Sequence, residues 1–294
     1  MKIFQVSGAW LRRGRPDAAK IGICFQARVP YSAGMTSVFR SPTWLLICLA
    51  APLTGPGPRA AQLNFDLYAV GVQVGESVMT VDLSASTYRM GLRYRTTGLA
   101  RIVSNDSLDQ TSAGAFEKDL PVPLEYKSVG KLRGHDRIVT MSYRNRNPVP
   151  TLIDPPNEAE RDIVPEAHWQ GTVDPLSAMA EMLRDAARTG RCDVSQRTYD
   201  GRRLEMFEAR TVGEDDIASS GRSSFSGRSL RCDYTRQPIA GFRLGSGRAE
   251  DSRARHGSFW LAPVAPGGPP LPVRGVIDAM YLGEVTMYLT SVKP

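Results

Sequence analysis

The sequence predicts a mainly β protein: a curved antiparallel sheet, an open barrel or β-roll of about a dozen strands, with one packed α-helix near 175–189. Two observations carry this. Along Tyr88–Arg95, Tyr88, Met90, Leu92 and Tyr94 alternate with Arg89, Gly91, Arg93 and Arg95, the pattern of a strand with one buried and one solvated face. Helical periodicity, by contrast, is strong in a single window, so most of the apolar content must be buried by strands.

Taken in order, strands are expected near 63–73, 77–83 and 87–97, with Gly75-Glu76 and Ser84–Ser86 as breaks, which makes a meander. Alternation returns near 111–117, 122–131 and 136–144, with Gly130–Gly134 as the last turn. From Asn145 to Val173 five prolines and the absence of periodicity predict a long surface loop or crossover. Asp174 then reads as an N-cap, Pro175 as a first-turn proline and Gly190 as a C-terminal stop. Leu176, Met179, Ala180, Leu183 and Ala187 form the apolar stripe between them. Strands near 192–199 and 202–212 flank Asp200-Gly201, a tight-turn pair that would leave the neighbouring arginines solvated. Gly213–Gly227 reads as a flexible loop, followed by strands near 228–236, 239–246 and 257–262. "APVAPGGPP" is a rigid break, and the chain closes on a hairpin around Leu282-Gly283.

The chain has 294 residues, 41% of them apolar, enough to bury a sizeable core. Its net charge of +7 is unevenly spread: residues 1–61 hold eight basic residues and one acidic, so residues 62–294 are balanced. The basic excess therefore belongs to the N-terminus, which argues against a nucleic-acid-binding domain. "PTWLLICLAAPL", Pro42–Leu53, has the length of a signal-peptide core and falls short of the ~20 residues that a spanning helix needs. Residues 35–61 are expected to be a signal peptide cleaved near Ala60 or Ala61, leaving no transmembrane helix in the mature chain. Residues 1–34 are expected to be an upstream extension from a misassigned start, and 62–294 a single β-rich domain. Cys48 follows Leu45, Leu46 and Ile47, not the small residues of a lipoprotein signal.

Two cysteines remain, Cys192 and Cys232. In an oxidising compartment they are expected to pair across neighbouring strands, closing a loop worth roughly 4 kcal/mol in the chain-entropy account. A thiolate nucleophile at Cys192 is disfavoured, because no histidine is near in sequence and Asp193 would raise its pKa. His135, His168 and His256 lack metal spacing, and Glu214-Asp215-Asp216 lacks the alternating oxygens of a calcium loop, so no cofactor or metal is expected. The serines of "SSGRSSFSGRS" are not on a nucleophile elbow, and "GSGRAE" at 245–250 is no nucleotide fingerprint. His135-Asp136 would face opposite sides of a strand. Trp169, Phe259, Trp260, Tyr281 and Tyr288 either fill a core or line a cavity in the curved sheet.

"YAVGVQVGE" (68–76), "YRMGLRYRTTGL" (88–99), "DPLSAM" (174–179), "RCDVSQRTYDGRRL" (191–204), "LRCDYTRQPIAGF" (230–242) and the tail "FWLAP…PVRGVIDAMYLGEVTMYL" occur in an order that resembles the bacterial exported family catalogued as domain of unknown function 3108. The resemblance implies a signal-bearing, periplasmic protein with a curved antiparallel sheet and no assigned activity. The expectation is a non-enzymatic, exported envelope protein that binds or carries an apolar or envelope-derived ligand. The alternative is a structural or interaction component of the periplasm or envelope, with an envelope protein as partner. The sequence sets neither the ligand nor the oligomeric state.

Overall fold

The computed structural model describes residues 60–98, 100–132, 134–279 and 283–293. The predicted leader and its cysteine, Cys48, lie outside these residues, as do Tyr281 and Leu282 of the final turn. In chain order the elements are β1 (Ala61–Ala69), β2 (Val72–Leu83), β3 (Thr87–Thr96), α1 (Ala100–Val103), β4 (Ser107–Glu117), β5 (Leu120–Leu132), β6 (His135–Arg144), β7 (Asn147–Asp154), α2 (Glu166–Trp169), α3 (Pro175–Thr189), β8 (Val194–Tyr199), β9 (Leu204–Ile217), β10 (Gly227–Ala240), α4 (Arg248–Asp251), β11 (Arg255–Pro263), β12 (Pro270–Ala279) and β13 (Gly283–Lys293).

The thirteen strands form one antiparallel sheet in the order β7-β6-β5-β4-β3-β2-β1-β13-β12-β11-β10-β9-β8. The first and last strands, β1 and β13, pair at its centre from Gln62–Lys293 to Ala69–Val285, which closes the chain on itself. The sheet curls into a nearly closed, barrel-like form with β7 and β8 as its two edges. Because consecutive strands run antiparallel, alternate connections share an end. The β1–β2, β3–β4, β5–β6, β8–β9, β10–β11 and β12–β13 connections lie at one end, here the upper end.

Several boundaries differ from the sequence expectation, each for a local reason. The first turn falls at Val70-Gly71, not at Gly75-Glu76. Val70 (φ 48°) and Gly71 (φ 81°) are both left-handed, an arrangement a β-branched residue rarely signals. Gly75 instead stays in β2, where a Cβ would come within 2.8 Å of the Tyr94 ring. The proline-rich stretch contains β7: Pro148 and Pro150 are accommodated because an edge strand can leave one side unbonded. β9 runs to Ile217, so Glu214–Asp216 are strand residues and only 218–226 form a loop. The strand expected near 239–246 ends at Ala240, and a turn and α4 follow.

The helix forms where predicted. Asp174 accepts hydrogen bonds from the Leu176 and Ser177 amides, both 3.0 Å, and Gly190 closes α3 at φ 70°. Its buried face is wider than the predicted stripe: Met182 and Ala186 are buried and Ala187 is exposed. The reason is position. α3 touches β3, β4 and β5 and also β8 and β12, strands from both halves of the sheet, which a helix can do only from inside the curve. It runs from mid-barrel to the lower end, where Arg184 donates to the Ser84 and Ala85 carbonyls and to Asp119, and lies over Phe116.

At the other end of the helix the Asp174 carboxylate is wholly buried. It accepts from Ser177 Oγ (2.6 Å) and from Ser112 Oγ of β4 (3.0 Å), while Tyr88 of β3 bonds Ser177 Oγ at 2.7 Å. Past the helix, the Cys192–Cys232 disulfide fixes the exit. Cys192 precedes β8 and reaches over β9 to β10, rather than joining neighbouring strands, and its amide donates to Thr211 of β9.

Two stability outcomes follow from the helix. Asp174→Ala removes the cap and the carboxylate acceptor shared by Ser112 and Ser177, and chemical denaturation should show a loss of about 2–4 kcal/mol. Burial raises the Glu181 carboxyl from 4.5 to about 7, against the hydrogen bond from Gln196 that stabilises the anion. A raised carboxyl favours the folded state below its unfolded pKa and loses that contribution as pH climbs through 7. Relative to Glu181→Gln, which keeps the Gln196 contact, the wild type should therefore lose on the order of 1–3 kcal/mol between about pH 5 and about pH 8. An equal stability difference between the two proteins at the two pH values would contradict this.

Candidate functional site

The helix occupies the lower half of the interior and leaves the upper half unfilled. Inward-facing residues alternate along each strand, and those above α3 enclose an apolar cavity of about 280 Å³. Its deep wall is Leu67, Val74, Met79, Phe259, Val285 and Met287, all buried; Ser77 is the one hydroxyl among them. Leu92, Tyr94, Leu108, Met179, Ile277 and Ala279 line the rest and are half-buried, so the cavity reaches solvent at the upper end. Three of the lining residues are methionines, one of them (Met179) from α3. At the same end, the β1–β2 turn and α1 expose Val70, Val72 and Ile102, with Val70 96% and Ile102 83% exposed. These large apolar side chains stand beside the cavity's mouth.

A second hollow, of about 410 Å³, opens at the same end where the two sheet edges approach. Here no strand pair closes the barrel. Closure comes from the β8–β9 turn, which docks on β6, and from the 155–173 segment. Gly201 sits against Val139 and Met141 of β6, the Asn157 amide group donates to the Gly201 carbonyl, and Trp169 packs on Tyr199 with ring centroids 4.8 Å apart. Tyr126, Val139, Met141, Val164, Tyr199 and Leu204 form a second small core at this seam.

Above that core the seam is built from arginines. Arg202 donates to the Asp154 and Pro155 carbonyls, both within 2.9 Å, and Arg161 donates to the Gly241 carbonyl and to Asp251, both 2.8 Å. Arg137 of β6 makes a two-pronged pair with Glu160. Asp200 accepts from the Arg202 and Arg203 amides at 2.8 and 2.6 Å, which sets the turn. Burial works against charge on Asp200, but Arg203 and those two amides outweigh it and hold the carboxyl below its usual range. Arg137, Arg161, Arg202, Arg203 and Arg243 all line the hollow.

Of the sequence-selected residues, Phe259 lines the apolar cavity and His135 the arginine hollow; most of the others lie elsewhere and have structural partners. Cys192 and Cys232 are joined and buried. The aromatics do not form one cluster: Phe259 stacks on Tyr234 at 5.0 Å inside, whereas Trp260 points to the opposite face, where it pairs across strands with Arg231 and Arg274. Its Nε1 donates to Asp215, so one member of the acidic run holds a tryptophan. Tyr288 continues the same row beside Arg274. His135 borders the arginine hollow and Asp136 is exposed. Among the described residues no group of three or more His, Cys, Asp or Glu could hold a metal ion, and no helix is long and apolar enough to cross a membrane. A larger hollow of about 790 Å³ lies on the outer face and is edged by Glu208, Asp233, Asp278 and Glu284.

Sequence reasoning missed the arginine seam. It placed Arg202 and Arg203 in solvent, yet Arg202 is 8% exposed, because a hairpin turn that closes a barrel is an interior feature. The available signal was the density of arginine around Asp200 in a body of balanced charge. The other members come from β6, the 155–173 segment and the stretch after β10, which only the fold brings together.

The chain belongs to the family described as protein of unknown function (DUF3108), which matches residues 64–290. Among solved structures it is similar to a beta-barrel-like protein of the domain of unknown function DUF1849 from Brucella abortus. The identity is 12%, the TM-score 0.49, and the match covers 81% of this chain and 98% of that one. No curated protein matches the chain.

Proposed function

We propose that this protein is an exported, non-enzymatic binding or carrier module of the cell envelope, which shelters an apolar ligand in the upper half of its barrel. The apolar cavity carries the reading. Its walls are almost wholly hydrocarbon and thioether, and it opens to solvent, where an unfilled core defect would be closed. A space of about 280 Å³ lies at the small end of the range for small-molecule sites, suited to a single acyl chain or one ring system. The exposed Val70, Val72 and Ile102 beside the mouth suit transfer of such a ligand from another apolar surface. Export is supported by the leader-like run Pro42–Leu53 and by the disulfide, which belongs to an oxidising compartment. β1 begins at Ala61, so cleavage near Ala60 or Ala61 would leave the strand nearly whole.

The cavity is tested with a neutral apolar fluorophore such as N-phenyl-1-naphthylamine. The wild type should bind it saturably, and Val74→Trp, which places an indole in the cavity, should weaken binding at least about tenfold, close to 1.4 kcal/mol, with an unchanged circular dichroism spectrum. Equal binding by the two proteins places the dye elsewhere and removes the cavity as the site. For export, mass spectrometry of the mature protein should find Ala61 or Gln62 at its N-terminus; a retained Lys2 or Phe4 would sink that part of the reading.

A further inference from the structure

The apolar cavity and the arginine hollow share a wall. Leu108 of β4 lines both. On one side of it the inner face continues as Leu92 and Tyr94 of β3; on the other it becomes Gln110 of β4 and Tyr126 and Ser128 of β5, then the arginines. The interior at the upper end thus grades from hydrocarbon to cation along neighbouring strands.

Charge in the hollow is unbalanced. Five arginines line it against two carboxylates, Glu160 and Asp200. Behind them Asp251 pairs with Arg161 at 2.8 Å and with Arg243 at 3.6 Å, while Glu205 is held by Arg236 at 2.6 Å, so five arginines still outnumber three available carboxylates. Much of the arginine hydrogen bonding goes to neutral acceptors: the Asp154 and Pro155 carbonyls for Arg202, and the Gly241 carbonyl for one bond of Arg161. A carbonyl satisfies an N–H without cancelling its charge. Arg137 Nε is buried with no hydrogen-bond partner among the described residues. Burial and a facing arginine hold Arg161 and Arg202 below their usual range, with Arg203 acting on Arg161 and Arg137 on Arg202, whereas Glu205, Asp200 and Asp251 raise Arg203 against its burial. Crowding of this kind is relieved by an anion.

We propose that the cavity and the hollow are two halves of one site, which holds an amphiphile with its apolar chain in the cavity and its terminal oxyanion, a carboxylate or phosphate, against the arginines. The proposal rests on the apolar-ligand reading above and adds the charge and position of the head group. Guanidinium groups present paired N–H donors to such an oxyanion, and partial burial strengthens the attraction by lowering the local dielectric. Glu160 is the group the head must compete with, since it already occupies two donors of Arg137.

The test compares ligands that differ in one part at a time, by calorimetry on the intact protein: decanoate, decyl phosphate, decanol, acetate and inorganic phosphate. At least one of the charged ten-carbon ligands should bind at least about tenfold tighter than decanol at low salt, the value of roughly one charge-assisted hydrogen bond, and the margin should shrink as salt is added. Glu160→Gln should tighten the preferred anion several-fold and leave decanol unchanged; Arg137→Gln should do the reverse. The gain in the first variant cannot come from damage to the fold. If decanol binds as tightly as both anions, the two-part site is wrong and the apolar carrier reading stands. If acetate or inorganic phosphate binds as tightly as its ten-carbon counterpart, the hollow is a separate anion site and the proposal falls. If no ten-carbon ligand binds, both readings fall.

Discussion

The buried carboxylate of Asp174 is the contact on which the interior depends. A curved sheet of thirteen strands encloses more space than its own inward side chains can fill, and α3 is inserted to fill part of it. A helix placed there brings unsatisfied amides at its N-terminus into an apolar environment, and each would cost a large part of a hydrogen bond. Asp174 meets that demand with one oxygen and binds Ser177 and Ser112 with the other, so the cap is also the anchor to β4. Burial raises the carboxyl's pKa, while the hydrogen bonds from Ser177 and Ser112 work in the opposite direction. The depth at which the helix is fixed decides how much of the barrel stays empty above it.

A second constraint is the failure of the sheet to close by strand pairing. β7 and β8 are edges, and exposed edges invite pairing with other chains. Here the β8–β9 turn and the 155–173 segment lie between them. The isolated bridge from Val173 to Thr198 and the donors of Arg202 and Asn157 supply contacts that a ladder would otherwise make. Such a seam must be polar, because it satisfies irregular backbone, and it must be rigid. Arginine suits both needs: its planar group reaches several carbonyls at once. The opposite wall, around β1, β2 and β13, closes by continuous ladders broken only by single register shifts, so little backbone is left to satisfy and it can be hydrocarbon. The two-sided interior is therefore a consequence of how the barrel closes.

Much of this was legible in the sequence, and the legible parts share a cause. Alternation along β3, the Asp174–Gly190 helix and the Cys192–Cys232 pair are each set by local patterning or by elimination among few residues. Boundaries were lost where tertiary contact overrides local preference. Val70 takes a left-handed conformation that no turn rule assigns to it, Gly75 stays in a strand beneath the Tyr94 ring, and Pro148 and Pro150 fit a strand only because it is an edge. The site was less legible than the fold. Trp260 was a candidate for the interior, but its neighbours Arg231, Arg274 and Asp215 come from three other strands, and which face it takes depends on register. The arginines of the seam lie up to about a hundred residues apart, and no spacing rule connects them.

The two halves of the interior also differ in how tightly they are specified. Arg137, Arg161 and Arg202 of the seam are held by named acceptors, so the position of charge there is fixed to within the reach of a hydrogen bond. The apolar wall includes Met79, Met179 and Met287, unbranched side chains that repack at little cost. Met179 is carried by a helix fixed at both ends, by Asp174 and by Arg184, so the backbone around the cavity stays in place while its lining adapts. A ligand held as proposed would be recognised by where its polar end lies, and the shape of its apolar part would be tolerated over a range. That division suits a carrier better than a site that must orient a reacting bond, because catalysis needs the reacting atoms held in one geometry and carriage needs only that the apolar surface be covered.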